Sequence, residues 1–137
     1  MSLRRADVFF YGLFMDPELL RAKGVRPEHA ELASVEGMGL RIGQRAALVS
    51  AAGARVHGLV MSLSLPDLEK LYSEPTVQAY RPQAVLAHLA GGGVIAALCY
   101  NLPEPPTVDE RNPEYAAKLR AVAEKVGLPK EYVGSIR

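Results

Sequence analysis

Residues 40–63 read LRIGQRAALVSAAGARVHGLVMSL. Three β-like runs lie in this stretch, at 40–43, 46–50 and 55–63, rich in valine, leucine and isoleucine and divided by glycine-bearing turns. Gly53 reads as the clearest hairpin tip. Strand following strand through short turns means antiparallel pairing, because parallel neighbours need a long crossover. The strand pattern begins upstream, near Ala30, and Gly37 and Gly39 inside it read as a bulge or a tight bend of a curved sheet.

Working outward, Val8-Phe9-Phe10-Tyr11 is a further strand, ended by Gly12. Asp16 caps a short helix that opens at Pro17 and stops at Gly24, so Gly12 to Met15 form a strand-to-helix loop. Ser64 starts a second helix, with Asp67 placed to reach back to it and Leu65, Leu68 and Leu71 as its apolar face. That helix ends near Tyr72 and leaves Glu74 and Pro75 in a loop. Residues 80–89 and 94–100 are two more strands around Gly91-Gly92-Gly93, the first partly an edge because of Pro82. A connector with Pro103, Pro105 and Pro106 leads to a helix capped by Asn112, whose stripe is Tyr115, Ala116, Leu119, Val122, Ala123 and Val126. Gly127 ends it, and Leu128 to Tyr132 begin a last short turn. About six strands, two short helices among them and a C-terminal helix define an α+β fold. Its sheet is mostly antiparallel and curved into a small barrel with flanking helices, one domain over residues 1–137.

Composition removes several classes of function. The net charge is +1, which gives no long-range field and no argument for nucleic acid or an anionic membrane. No apolar run reaches membrane-spanning length. Met1-Ser2-Leu3-Arg4-Arg5 lacks the apolar middle of a signal peptide, so the expected location is cytoplasmic. The single cysteine, Cys99, sits in an apolar run and reads as a buried hydrophobe. His29, His57 and His88 show no ligand spacing, so no metal is expected. Nothing in the sequence specifies an oligomeric state.

Two places could carry chemistry. In Phe10-Tyr11-Gly12-Leu13-Phe14-Met15 a strand runs into a helix through a glycine, which leaves backbone N–H groups free to hold an oxygen. Taken alone, these residues read first as an ordinary strand–helix turn with an apolar plug. The other place is Ser73 to Arg81. A lone glutamate such as Glu74 is normally a solvated surface charge. Here it follows the negative end of a helix dipole, so local stability does not explain it.

Taken together and in order, four segments resemble the gamma-glutamyl cyclotransferase-like superfamily. They are Phe10-Tyr11-Gly12, Val56-His57-Gly58-Leu59-Val60, Leu68 to Arg81, and Asn112-Pro113-Glu114-Tyr115 through Gly127-Leu128-Pro129-Lys130-Glu131-Tyr132. The resemblance implies a barrel with a pocket at one end, no metal and no organic cofactor. It implies a small-molecule substrate with a gamma-glutamyl group, whose own α-amine displaces an amine and leaves 5-oxoproline. Glu74 falls at the catalytic glutamate, the backbone of Gly12, Leu13 and Phe14 at the oxyanion and substrate contacts, and Tyr11, Tyr80 and Tyr100 at the pocket lining. The tyrosines read equally as barrel-core aromatics. The chain departs from the family where Leu13 and Phe14 replace small polar residues and Pro75 replaces a glycine. A non-catalytic binding domain on the same scaffold is the rival reading, favoured if Leu13 or Phe14 fills the pocket. A lyase or transferase acting on another gamma-linked amide is a third.

Overall fold

The structure is a computed structural model and describes residues 4–137, so the signal-peptide reading of the first residues lies in part outside the described residues. The chain runs β1 (Arg5–Phe10), a 3-10 turn (Leu13–Met15), α1 (Pro17–Ala22), β2 (Glu28–Ile42), β3 (Ala46–Ser64) and α2 (Leu65–Leu71). It continues with β4 (Arg81–Leu89), β5 (Val94–Asn101), α3 (Pro113–Val126) and α4 (Lys130–Ser135). The five strands close into a barrel in the order β1-β3-β2-β4-β5. All ladders are antiparallel except the closing one, where β1 and β5 run parallel with Val8 opposite Leu98. The α+β barrel read from the sequence is therefore present, with five strands where about six were expected.

The missing strand is accounted for at Gly53. Residues 46–64 form one long strand, not two arms of a hairpin. Its ladder with β2 breaks between the pairs Glu36–Arg55 and Met38–Ser50. Gly37 on β2 thus faces residues 51–54 on β3, and the excess is thrown out as a bulge. Gly37 and Gly53 hold φ of 80° and 78°, a region that side chains with a Cβ rarely enter. The true hairpin turn is at residues 43–45, with the proline-rich connector laid against it: Arg41 Nη1 donates to the Pro106 carbonyl at 3.3 Å.

The caps are largely as the sequence indicates. Asp16 accepts from the Glu18 N–H at 3.0 Å, Ser64 from Asp67 at 3.2 Å and Asn112 from Tyr115 at 3.1 Å. Asp67 does not reach back to its own cap. Its carboxylate accepts from the Arg26 N–H at 3.1 Å, which ties α2 to the segment entering β2. On α3, Ala116, Leu119 and Ala123 are fully buried. Lys125, near its C-terminus, bridges Asp16 at 3.1 Å and Glu18 at 2.8 Å, which fixes α3 against the start of α1. Pro82 pairs with Tyr100 on one side, while β4 meets β2 only at Leu89 and His88, so the first half of β4 is an edge.

One polar side chain spans the barrel end. Asn101, buried at the end of β5, donates from Nδ2 to the Leu48 carbonyl at 2.9 Å and accepts at Oδ1 from the Leu48 N–H at 2.8 Å. Its amide acts as a strand partner for β3, which is not a sheet neighbour of β5. Oδ1 also accepts from the Leu102 N–H at 2.9 Å and from the Tyr11 hydroxyl at 3.3 Å. Replacing Asn101 by alanine leaves the Leu48 N–H and C=O buried and unpaired. We expect Asn101→Ala to lower the unfolding free energy by about 2–4 kcal/mol, read as a drop in the urea midpoint with an unchanged slope.

Candidate active site

The loop after β1 is set by a close backbone approach. A Cβ on Gly58 would stand 2.0 Å from the Phe10 carbonyl oxygen, so only glycine lets β3 come this close to the end of β1. The chain then turns through Gly12. Met15 donates its N–H to the Gly12 carbonyl at 3.0 Å and Asp16 donates to Leu13 at 3.3 Å. Among the described residues, no backbone carbonyl takes the N–H of Gly12 or Phe14.

A cavity of about 430 Å³ opens at this turn. Every residue singled out from the sequence lines it: Tyr11, Gly12, Leu13, Phe14, Glu74, Tyr80 and Tyr100. Leu13 and Phe14 form walls and leave the space open, and its size is within the range of small-molecule sites. Glu74 reaches it from a loop of two successive turns, in which Val77 donates to the Glu74 carbonyl at 3.0 Å and Tyr80 to the Val77 carbonyl at 3.1 Å. It is the single carboxylate on the cavity wall among the described residues, and Lys23 and Arg45 are the cations there.

The rest of the wall is aromatic. Tyr72 stacks on Tyr100 with centroids 3.9 Å apart and planes at 9°, and Phe14 meets Tyr72 edge-on at 5.7 Å. Tyr11 donates to the Tyr100 carbonyl at 2.9 Å, and Tyr80 donates to the Ala46 carbonyl. Burial pushes the phenols of Tyr11, Tyr72 and Tyr80 well above their ordinary range, and those of Tyr100 and Tyr115 up as well, with the Leu13 amide partly offsetting the rise at Tyr115. These hydroxyls stay neutral near pH 7, and the cavity's charges are those of Glu74, Lys23 and Arg45.

Among the lining residues not found from the sequence are Tyr115, Tyr72 and Lys23. Tyr115 reads as part of the α3 core stripe, but its hydroxyl stands 3.3 Å from where a Cβ on Gly12 would lie. Tyr72 reads as a helix end. Lys23 reads as the last turn of α1, yet its ammonium lies 2.9 Å from Glu74 Oε1 and 3.1 Å from Oε2. The two are 51 residues apart, so no local pattern connects them.

Among the described residues no group of three or more His, Cys, Asp or Glu side chains is placed to hold a metal ion. No helix among them is long and apolar enough to cross a membrane.

A small closed barrel thus carries, at one strand end, a turn with amides that no backbone carbonyl takes and one carboxylate on the same cavity wall, among the described residues. The model of the family "Gamma-glutamyl cyclotransferase, AIG2-like" matches residues 8–119, and the chain belongs to that family. A solved gamma-glutamyl cyclotransferase is similar at TM-score 0.80 and 20% identity, over 98% of this chain and 89% of the other. YkqA from Bacillus subtilis is similar at TM-score 0.77 and 20% identity, over 96% of this chain and 52% of its own. An AIG2-like protein from Mus musculus gives TM-score 0.58 and 15% identity, over 81% and 90%. At these identities the likeness concerns the fold. No curated protein matches the chain.

Cys99 lies fully buried, close enough to Tyr11 and Tyr72 to act on their titration, and burial pushes its thiol up to about 12. Burial therefore keeps the thiol protonated, and the reactive thiolate scarce, near neutral pH in the folded state. We expect no reaction with a thiol reagent between pH 7 and 9, followed by one equivalent on unfolding, counted by absorbance.

Proposed function

We propose that this protein cyclises a small gamma-glutamyl amine or peptide to 5-oxoproline and a free amine, with Glu74 carrying the proton. The observation that supports this most is that Glu74, the single carboxylate on the wall among the described residues, shares one cavity with Gly12 and Phe14, whose amides no backbone carbonyl among those residues takes.

The chemistry asks little of the protein beyond position. The substrate's α-nitrogen forms a bond to its own γ-carbonyl carbon, and the bond from that carbon to the departing nitrogen breaks. Because the attack is intramolecular, folding the substrate into the reacting shape supplies much of the rate. The aromatic wall of Phe14, Tyr72 and Tyr100 would enforce that shape. The amides of Gly12 and Phe14 would hold the γ-oxygen as negative charge gathers on it. Starting from the ammonium, the α-nitrogen loses two protons on becoming the ring N–H and the departing nitrogen gains two on leaving as an ammonium, so Glu74 can take each proton and return it in turn.

Leu13, Phe14 and Pro75 favour the rival reading, a binding domain on the same barrel, because they remove side-chain donors and stiffen the loop. The open cavity favours the enzyme.

Glu74→Gln keeps the shape and removes the base. We expect it to reduce 5-oxoproline release from the best of a panel of gamma-glutamyl amines and dipeptides by about a hundred- to ten-thousandfold, followed by mass spectrometry, with thermal unfolding little changed. Silence of the folded wild type across the panel would instead favour the binding domain.

A further inference from the structure

We propose that Lys23 is the specificity residue that receives the α-carboxylate of the substrate's gamma-glutamyl head, so that the Lys23–Glu74 pair is a charge template for an amino-acid zwitterion. The proposal rests on the cyclotransferase reading above and says which end of the substrate each charge takes.

Lys23 sits at the C-terminal cap of α1 and meets both oxygens of Glu74, at 2.9 and 3.1 Å. The two side chains remain 29% and 35% exposed, and both line the cavity. An ion pair this wet contributes little to folding, so stability is a weak reason for its place. The Lys23 ammonium also stands 5.8 Å from the centroid of the Phe14 ring, a cation–π distance that keeps it over the apolar wall. Phe14 and Lys23 both line the cavity, so its apolar wall carries a cation beside it.

A gamma-glutamyl head carries an ammonium and a carboxylate on the same carbon. If a ligand brought only the ammonium to Glu74, it would shield Lys23 from water while taking its partner away, and that charge would be left unmatched. A ligand that brings both charges satisfies both residues: its ammonium replaces Lys23 at Glu74, and its carboxylate takes the freed Lys23. Opening the resting pair thus leaves no charge unmatched. The same exchange presents the α-nitrogen to Glu74, the group that must take its proton. Arg45 is the other cation on the wall, and it acts on the Tyr80 phenol, whose rise it partly offsets, while the ion pair of Glu74 is with Lys23.

The test compares a gamma-glutamyl alkylamide with the same compound bearing an α-carboxamide in place of the α-carboxylate. Turnover is read by 5-oxoproline-type product, and binding by calorimetry on the Glu74→Gln protein. The wild type should prefer the acid by roughly tenfold to a hundredfold in kcat/KM, mostly through KM. Lys23→Met should bring the ratio close to one, Lys23→Arg should restore most of it, and Arg45→Met should leave it. A preference that survives in folded Lys23→Met, or that disappears in Arg45→Met, overturns the proposal. If neither compound turns over, the cyclotransferase reading fails by itself. The calorimetric preference, compared between Glu74→Gln and Glu74→Gln with Lys23→Met, then decides the role of Lys23, and absence of any binding overturns both.

Discussion

The barrel has a narrow seam. β1 and β5 close it with a single parallel register pair, Val8 opposite Leu98, while every other junction is antiparallel. Asn101 lies beyond that pair and joins β5 to Leu48 of β3 with both halves of its amide. A buried amide with all its groups paired is directional in a way apolar packing is not. It fixes how far apart the ends of these strands stand, and so the width of the opening above them. Tyr11 is bonded to the same oxygen and to the neighbouring carbonyl, so the first tyrosine of the cavity is anchored to the bolt itself.

Around that opening the structure separates two kinds of task. Neutral aromatic groups shape the space, their hydroxyls held protonated by burial. Charge enters from the loops: Glu74 after α2 and Lys23 after α1. Each loop begins where a helix ends, and the two ends carry the same sign of dipole. A cation there is favoured and an anion is not. Lys23 thus supplies the counter-charge with which Glu74 pairs. The third support is α3, held at its far end by Lys125 on Asp16 and Glu18, which places Tyr115 against the Gly12 turn.

Much of this was legible beforehand, and the misses have physical causes. Strand-after-strand order gave the antiparallel barrel, and the caps at Asp16, Ser64 and Asn112 lie where their side chains indicate. Gly53 was misplaced because a hairpin tip and a bulge both call for positive φ, and only the register of β2 tells them apart. Asp67 fits a capping box by spacing, but a backbone donor brought in by tertiary structure outcompetes the local one. The residues expected at the site share one cavity because their motifs lie at the ends of elements that the barrel gathers. Lys23, Tyr72 and Tyr115 escaped notice because each has a sufficient local role, as helix end or core stripe, that conceals what it faces.

The aromatic wall also makes the cavity visible. The chain has no tryptophan and six tyrosines, and five of those six, Tyr11, Tyr72, Tyr80, Tyr100 and Tyr115, line the one cavity. Nearly all of the protein's near-ultraviolet absorption and emission therefore comes from the walls of its own pocket. Whatever enters changes the polarity and stacking around those phenols, so the unlabelled protein carries an optical reporter of its occupancy.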